Sequence, residues 1–73
     1  MTLYRDIDGD SDVYAYEFGE DYIAIQFKVT HKVYRYTYRS AGRNNVQTMK
    51  SLAQSGDGLN SFINRNVKYL YEK

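Results

Sequence analysis

Residues 22–39 constrain the fold more than any other stretch, because two alternating apolar patterns meet there around a single turn. A hairpin with Thr30 and His31 at its tip would place every large apolar side chain on one face of a sheet. Shifting the pairing by one residue would place tyrosines opposite polar side chains, so the sequence favours this register. The predicted pairs on the apolar face are Phe27 with Tyr34, Ile25 with Tyr36, and Ile23 with Tyr38.

A third strand is predicted upstream of this hairpin. Residues 13–18 alternate in the same way, and Gly19 with Glu20 suits a two-residue turn that has glycine at its first position. The chain therefore predicts a three-stranded antiparallel meander with one apolar face, and so small a sheet needs a cover. The side chains predicted on this inner face are Tyr14, Tyr16, Phe18, Ile23, Ile25, Phe27, Tyr34, Tyr36 and Tyr38.

The C-terminal half of the chain is predicted to supply that cover as two short helices. Asn44 is the expected N-cap of the first, with Gln47 three residues later, and Gly56 ends it in a left-handed conformation. The second helix is expected from residue 57 or 58, while residues 67–71 fit either more helix or a short extended segment. The expected fold class is α+β in the order β-β-β-α-α, with both helices on one face. The apolar positions at helical spacing are Val46, Met49, Leu52, Ala53, Leu59, Phe62, Ile63 and Val67.

Length and composition predict one small domain. We assign it to residues 13–71, preceded by an acidic, loosely ordered lead at residues 1–12. The absence of cysteine and the single histidine exclude disulfides and the usual zinc clusters, and no cofactor is expected. No apolar run approaches the roughly 18 residues of a membrane span. A cytoplasmic protein without a membrane partner is therefore expected, since a chain without cysteine fits a reducing compartment.

Charge is divided unevenly along the chain. Residues 1–27 carry one cation against seven carboxylates, a net charge of −6, whereas residues 28–73 carry nine cations against two carboxylates, a net charge of +7. This division fits a dipolar surface that attracts an anionic partner on one side. It equally fits an acidic segment that folds beside the basic half and cancels its charge.

The acidic lead also has the carboxylate spacing of a calcium loop. Such a loop needs glycine at its sixth position and a helix before it, whereas this chain has Ser11 at that position and only five residues upstream. A solvated acidic segment is the favoured interpretation, and no metal site is predicted. The carboxylates at the first, third, fifth, seventh and twelfth positions are Asp6, Asp8, Asp10, Asp12 and Glu17.

Several short motifs within residues 11–71 resemble those of the KTSC domain. They are Ile25 and Phe27 as IxF, Tyr34 and Tyr36 as YxY with Tyr38 extending it, Ser55 with Gly56, and Asn60 with Ile63 as NxxI. That family is a short module found alone in bacterial proteins and at the C-terminus of some lysyl-tRNA synthetases. Its function is not established, and the resemblance implies RNA binding as the proposed activity. The family usually has glycine in the second hairpin turn, where this chain has Thr30 and His31, and a Val-Pro after the tyrosines, where this chain lacks proline.

The sequence does not assemble the groups that catalysis requires. The only imidazole, His31, is predicted at an exposed hairpin tip, where no second group orients it. The clustered carboxylates have no apolar pocket to raise a pKa. We therefore predict no catalytic residue and no enzymatic activity.

Two surfaces could bind nucleic acid. Stacking of bases on Tyr34, Tyr36 and Tyr38 is less favoured than core packing, because their cross-strand partners are apolar. The favoured surface is the opposite, open face of the sheet, where cations would contact phosphates and one ring would stack. The alternatives are a merely solvated face, or a protein-interaction module or homodimer in which the acidic lead meets the basic half of a neighbour. The predicted binding residues are Arg35, Arg39, Lys28, Lys32, Tyr22 and Gln26.

Overall fold

The computed structural model describes residues 1–9 and 11–72. The α+β class and the antiparallel meander are confirmed, but the sheet has four strands in the order β1-β2-β3-β4 where three were expected. Two helices and a π-helical turn follow the sheet, and no helix of the described residues is long and apolar enough to cross a membrane. The elements are β1 Thr2–Leu3, β2 Val13–Phe18, β3 Tyr22–Phe27, β4 Val33–Thr37, α1 Arg43–Ser55, α2 Leu59–Phe62 and the π-helical turn Ile63–Val67.

The additional strand comes from the segment assigned to a loosely ordered lead. Thr2–Leu3 pairs with β2, and the side chain of Tyr4 is 93% covered within the core, its exposed fraction being 7%. The backbone amide of Tyr4 donates to the carbonyl of Tyr14 at 2.9 Å. The hydroxyl of Tyr4 accepts a hydrogen bond from the backbone amide of Leu59 at 3.3 Å. A two-residue strand shows no alternation, so the sequence gives no signal for it.

The hairpin between β3 and β4 keeps its predicted face but pairs two residues away from the predicted register. Ile25 lies opposite Tyr34, and Ile23 lies opposite Tyr36. A shift of two residues preserves the face of every side chain, so alternation alone cannot detect it. The loop has four residues, 28–31, because the amide of Phe27 donates to the carbonyl of Lys32 at 3.2 Å.

The hairpin between β2 and β3 shifts by the same amount. The turn lies at Glu20 and Asp21, closed by the amide of Gly19 donating to the carbonyl of Tyr22 at 3.2 Å. Gly19 thus stands just before the turn, where a Cβ would lie 2.4 Å from Cε1 of Tyr22. The glycine leaves room for the tyrosine ring against its backbone, and its φ is not in the left-handed region.

A bulge in β2 removes Tyr14 from the inner face on which it was predicted. The register changes between Val13 and Ala15, which leaves Tyr14 unpaired as a bulge. Val13 is fully buried in consequence, whereas Tyr14 is 44% exposed and Phe18, at the other end of the strand, is 39% exposed. Tyr14 is therefore not an inner-face residue, and Phe18 lies at the margin of the core.

Both helices cover the inner face of the sheet. The largest fully buried side chains come from three strands and from all the helical elements, and they form one core. Gly42 rather than Asn44 is the N-cap of α1, whereas Gly56 is its left-handed C-cap with φ of 79°, as predicted. The core is filled by Val13, Ile23, Ile25, Tyr36, Val46, Met49, Leu59 and Val67.

Val67 ends the π-helical turn, and residues 68–71 form neither a helix nor a strand. After the π-helical turn the chain bends, and the amide of Glu72 donates to the carbonyl of Arg35 at 2.6 Å. The ring of Tyr71 packs on that of Tyr34 with 4.6 Å between centroids. The tail therefore lies beside β4 and covers part of that edge.

Candidate nucleic-acid interface

The face of the sheet turned away from the helices has small residues at its centre. Ala15 and Ala24 lie on it, each only 2% exposed because longer neighbours cover them. Ala15 is opposite Gln26, and Ala24 is opposite Arg35. The result is a shallow open face whose margin carries the longer polar side chains.

Tyr22 and Arg35 contact each other on this face. The guanidinium carbon of Arg35 lies 4.4 Å from the centroid of the Tyr22 ring, within the range of a cation–π contact. The two residues are diagonal neighbours on adjacent strands, and the small side chain of Ala24, opposite Arg35, leaves room for the approach. Tyr22 was predicted to stack with a base, but Arg35 already covers its ring. Arg35 itself is exposed.

The remaining predicted residues do not form one track. Lys28 lies in the β3–β4 loop and forms an ion pair of 2.8 Å with Asp6 of the lead. Gln26 lies on the open face, but its side-chain amide donates to the carbonyl of His31 at 3.2 Å. Lys32 is exposed directly after this loop, whereas Arg39 follows β4 and is exposed at the opposite end of the sheet. The predicted surface is thus divided between the two ends of the sheet.

The Asp6–Lys28 pair also bears on the divided charge of the chain. The hydrogen bond from Lys28 lowers the pKa of the Asp6 carboxyl below its ordinary value, and the backbone amide of Ser11 contributes in the same direction. Part of the acidic lead is therefore neutralised by the basic half of its own chain. Asp10, the fifth position of the calcium pattern, lies outside the described residues, and within residues 1–9 and 11–72 no cluster of three metal-ligating side chains occurs.

Two cations of α1 that were not predicted from the sequence lie against the ring of Tyr38, the residue before Arg39. Nζ of Lys50 is 5.5 Å from the ring centroid of Phe18 and 5.7 Å from that of Tyr38, and it donates to the carbonyl of Glu20 at 2.9 Å. Arg43 lies 6.0 Å from the Tyr38 ring. Their spacing of seven residues, two helical turns, was the signal available in the sequence. We name the group formed by Arg35, Arg39, Arg43 and Lys50 the cationic end.

Carboxylates moderate the potential at the cationic end. Glu17, Glu20 and Asp21 are exposed at the β2–β3 turn and in the adjoining strand. Four cations therefore face three anions, so long-range attraction of a polyanion is weak and close contacts must supply the affinity.

The tyrosines of β4 and its extension lie toward the helices. Tyr36 is 1% exposed, and burial raises its pKa to about 12, with the neighbouring phenols of Tyr34 and Tyr71 adding to the shift. Tyr34 is half-buried against Phe27 and Tyr71, and the hydroxyl of half-buried Tyr38 accepts a hydrogen bond from the side chain of Gln47. None of the three lies on the open face.

The only histidine lies in the loop between β3 and β4. His31 is exposed, its backbone has a positive φ of 58°, and its ring lies 6.5 Å from that of Tyr14 in an edge-on arrangement. The contact is aromatic, with no hydrogen-bonded second group to hold the imidazole among the described residues.

Comparison with known proteins gives no match, either to a family model, to a curated protein or to a solved structure.

Proposed function

We propose that this protein is a non-enzymatic module that binds single-stranded RNA at the cationic end and on the adjoining open face. The observation that carries the proposal is the guanidinium of Arg35 held 4.4 Å above the ring of Tyr22. Single-stranded RNA is bound by cations that contact its phosphates and by planar groups on which its bases stack. An arginine supported on a tyrosine offers both properties in one side chain.

The support by Tyr22 matters because it fixes the guanidinium before the ligand arrives. A free arginine loses much of its rotamer entropy when it binds, whereas a stacked one has already lost part of it. Arg39, Arg43 and Lys50 extend the cationic surface around the end of the sheet toward α1. A strand whose bases stack on Arg35 could place its backbone along these three side chains.

The resemblance to the KTSC domain supports the same class of ligand, since RNA binding is the activity proposed for that family. We accordingly propose the chain as a KTSC-like module that acts in the cytoplasm. No catalytic role is proposed, because the exposed imidazole of His31 has only an aromatic neighbour, Tyr14, to orient it.

An amide-shift titration with mixed-sequence single-stranded RNA at two salt concentrations tests the proposal. We expect shifts in residues 20–24 and 35–43 and around Lys50. Three phosphate contacts, at Arg39, Arg43 and Lys50, predict that log K falls with log salt with a slope of about −2 for a single strand. Replacing Glu20 by Gln should strengthen binding, because it removes an anion while leaving the backbone carbonyl that Lys50 contacts. The absence of any shift at low salt would exclude the proposal.

A second candidate function is self-association through the open face, favoured by two exposed aliphatic residues. Leu3, opposite Ala15, is 61% exposed, and Val33, opposite Gln26, is 51% exposed, so both flank the same row of the sheet. Two copies could pack these rows together and exclude water from them. Sedimentation over a range of protein concentrations distinguishes the candidates. The double variant Leu3→Ser, Val33→Thr should abolish association if two copies pack through these residues. If the chain instead binds RNA as a monomer, the same double variant should leave RNA binding unchanged.

A further inference from the structure

A groove opens at the end of the molecule opposite the cationic end, between the inner face of the sheet and the helical segment that follows α1. Its volume is about 350 Å³, at the lower end of the range for small-molecule sites. Three tyrosines form one side and three polar residues form the other. We name it the tyrosine groove and define it by Tyr34, Tyr36, Tyr71, Asn60, Asn64 and Lys68.

Tyr36 gives the groove an unused hydrogen-bonding group. The side chain is 99% covered, its exposed fraction being 1%, yet within residues 1–9 and 11–72 its hydroxyl has no hydrogen-bond partner. The residue lines the groove, so the accessible part of its phenol faces that space. The hydroxyl oxygen itself is not fully buried, so a water molecule or a polar group of a ligand in the groove can bond to it.

The aromatic side of the groove is a fixed platform. The ring of Tyr71 lies 4.6 Å from that of Tyr34 and 6.3 Å from that of Tyr36, nearly perpendicular to the latter at 87°. The hydrogen bond from the amide of Glu72 to the carbonyl of Arg35 holds the tail that carries Tyr71. Such a platform suits a flat ligand, because tilted rings leave both faces and edges open for contact.

The helical side of the groove carries two side-chain amides, about one helical turn apart. Asn60 and Asn64 are four residues apart and line the groove together, and neither amide has a partner in the described part of the chain. The amides of Asn45 and Asn66, by contrast, donate to the carbonyls of Ala41 and Phe62. An amide presents a donor and an acceptor side by side, which is the pattern along the edge of a nucleobase.

The rim of the groove adds a cation and an exposed ring. Lys68 lies one helical turn beyond Asn64, and its Nζ is 5.5 Å from the centroid of Tyr69. Tyr69 is 70% exposed and also lines the groove. Asp12 lines it too and supplies a carboxylate that can accept from an exocyclic amine. A base with an amino group, carrying a phosphate that Lys68 can reach, matches this set of groups.

We propose that the tyrosine groove binds a nucleoside monophosphate, with the base against the tyrosines and both asparagine amides and the phosphate at Lys68. The base can come from a free nucleotide or from an RNA strand. The site uses none of the four cationic side chains of the cationic end. Its one link with them is the backbone carbonyl of Arg35, which Arg35→Ala retains.

Titration of the full chain with GMP, guanosine and ribose 5-phosphate, followed by amide shifts, tests this site. We expect GMP to shift residues 60–71 together with Tyr34 and Tyr36, guanosine to bind several-fold more weakly, and ribose 5-phosphate to cause no shift in the groove. Tyr36→Phe and Asn64→Ala should each weaken GMP binding about three- to tenfold, the effect of one hydrogen bond. Asn44→Ala, an exposed residue on α1, is the matched control and should leave the affinity unchanged.

An RNA tetranucleotide distinguishes the two sources of the base. Tighter binding than GMP, with shifts in the groove, identifies a strand as the source, whereas GMP shifts alone identify a free nucleotide; both outcomes support the site. Arg35→Ala should abolish binding at the cationic end while leaving the GMP shifts intact, so the two sites can fail independently. No saturable shift with GMP, or equal binding of ribose 5-phosphate, would overturn the proposal.

Discussion

The hydroxyl of Tyr4 accepts a hydrogen bond from the backbone amide of Leu59, 55 residues further along the chain. This amide lies at the start of α2, where helical amides have no partner within the helix. Tyr4 thus joins the N-terminal strand to the last helical segment and caps that segment from outside it. Burial raises the pKa of the Tyr4 phenol, so the hydroxyl stays neutral over the physiological range.

Substitutions of Tyr4 should therefore destabilise the whole fold. Tyr4→Phe removes the hydrogen bond and should reduce the free energy of unfolding by about 1 kcal/mol, whereas Tyr4→Ala also removes the buried ring and should cost about 3 kcal/mol or more. Urea denaturation measures both values. Tyr14→Phe, at an exposed tyrosine, is the control and should change stability by less than about 0.5 kcal/mol. A Tyr4→Ala variant as stable as the parent would show that the lead does not contribute to the core.

His31 should be replaceable by glycine with a gain in stability. Its φ of 58° lies in the left-handed region, which is costly for a side chain with a Cβ. Glycine removes that cost but loses more entropy on folding, so His31→Gly should stabilise the protein by about 0.5–1 kcal/mol. Thermal denaturation checks this value, with Thr30→Gly in the same loop expected to destabilise. A lower melting temperature for His31→Gly would mean that its contact with Tyr14 outweighs the backbone strain.

The sequence predicts which face of the sheet most strand side chains occupy, but it does not predict the register in which the strands pair. The reason is physical. Alternation has a period of two, so shifting a pairing by two residues, as at Ile23 and Ile25, leaves every side chain on its predicted face. The loop length that fixes the register depended on a left-handed residue at His31, where the sequence has no glycine to mark it. Tyr4 was missed because a single aromatic residue in an acidic segment has no periodicity.

Only part of the candidate site was predicted, again because alternation determines the face of a side chain but not the register of its strand. Tyr22 and Arg35 were assigned to the open face because alternation determines faces. Lys28 belonged to a strand in the predicted register, but the longer loop carries it to Asp6 instead. Arg43 and Lys50 contact rings at the margin of the sheet, and such tertiary neighbours follow only from the packing of α1.

The ion pair of Asp6 with Lys28 should make the protein sensitive to acid. The pKa of Asp6 is lowered in the folded protein, so the pair stabilises the fold above the ordinary value of 3.8 and is lost as the pH falls through the folded value. Asp6→Asn should be less stable at neutral pH and should lose less stability below about pH 4. Asparagine suits the test because it tolerates the positive φ of 52° at this position. Denaturant midpoints between pH 2 and 7 measure the difference, and parallel curves for both proteins would contradict it.

The buried phenol of Tyr36 should make the folded protein lose stability as the pH rises, whereas the Asp6 pair loses its contribution as the pH falls. Its pKa rises from 10.0 to about 12 in the folded protein, so the unfolded chain ionises first as the pH increases. The stability contributed by the buried neutral phenol is complete below pH 10 and should fall by about 2 kcal/mol between pH 10 and 12. Tyr36→Phe keeps the ring and removes the titration, so its stability should fall less steeply over that range. Equal slopes for both proteins in urea denaturation would show that the phenol ionises without cost in the fold.

The cations of the cationic end, rather than those in or directly after the β3–β4 loop, should determine the affinity for RNA. Arg43→Ala and Lys50→Ala should each weaken binding about three- to tenfold and reduce the salt slope by about 0.7, because each removes one phosphate contact. Lys32→Ala removes the same charge at the other end of the sheet and should change neither quantity. Fluorescence anisotropy with a labelled single-stranded RNA at several salt concentrations measures both. If Lys32→Ala weakened binding as much as Lys50→Ala, the RNA would have to run along the whole sheet, and the stacked Arg35 would be one contact among many rather than the centre of the site.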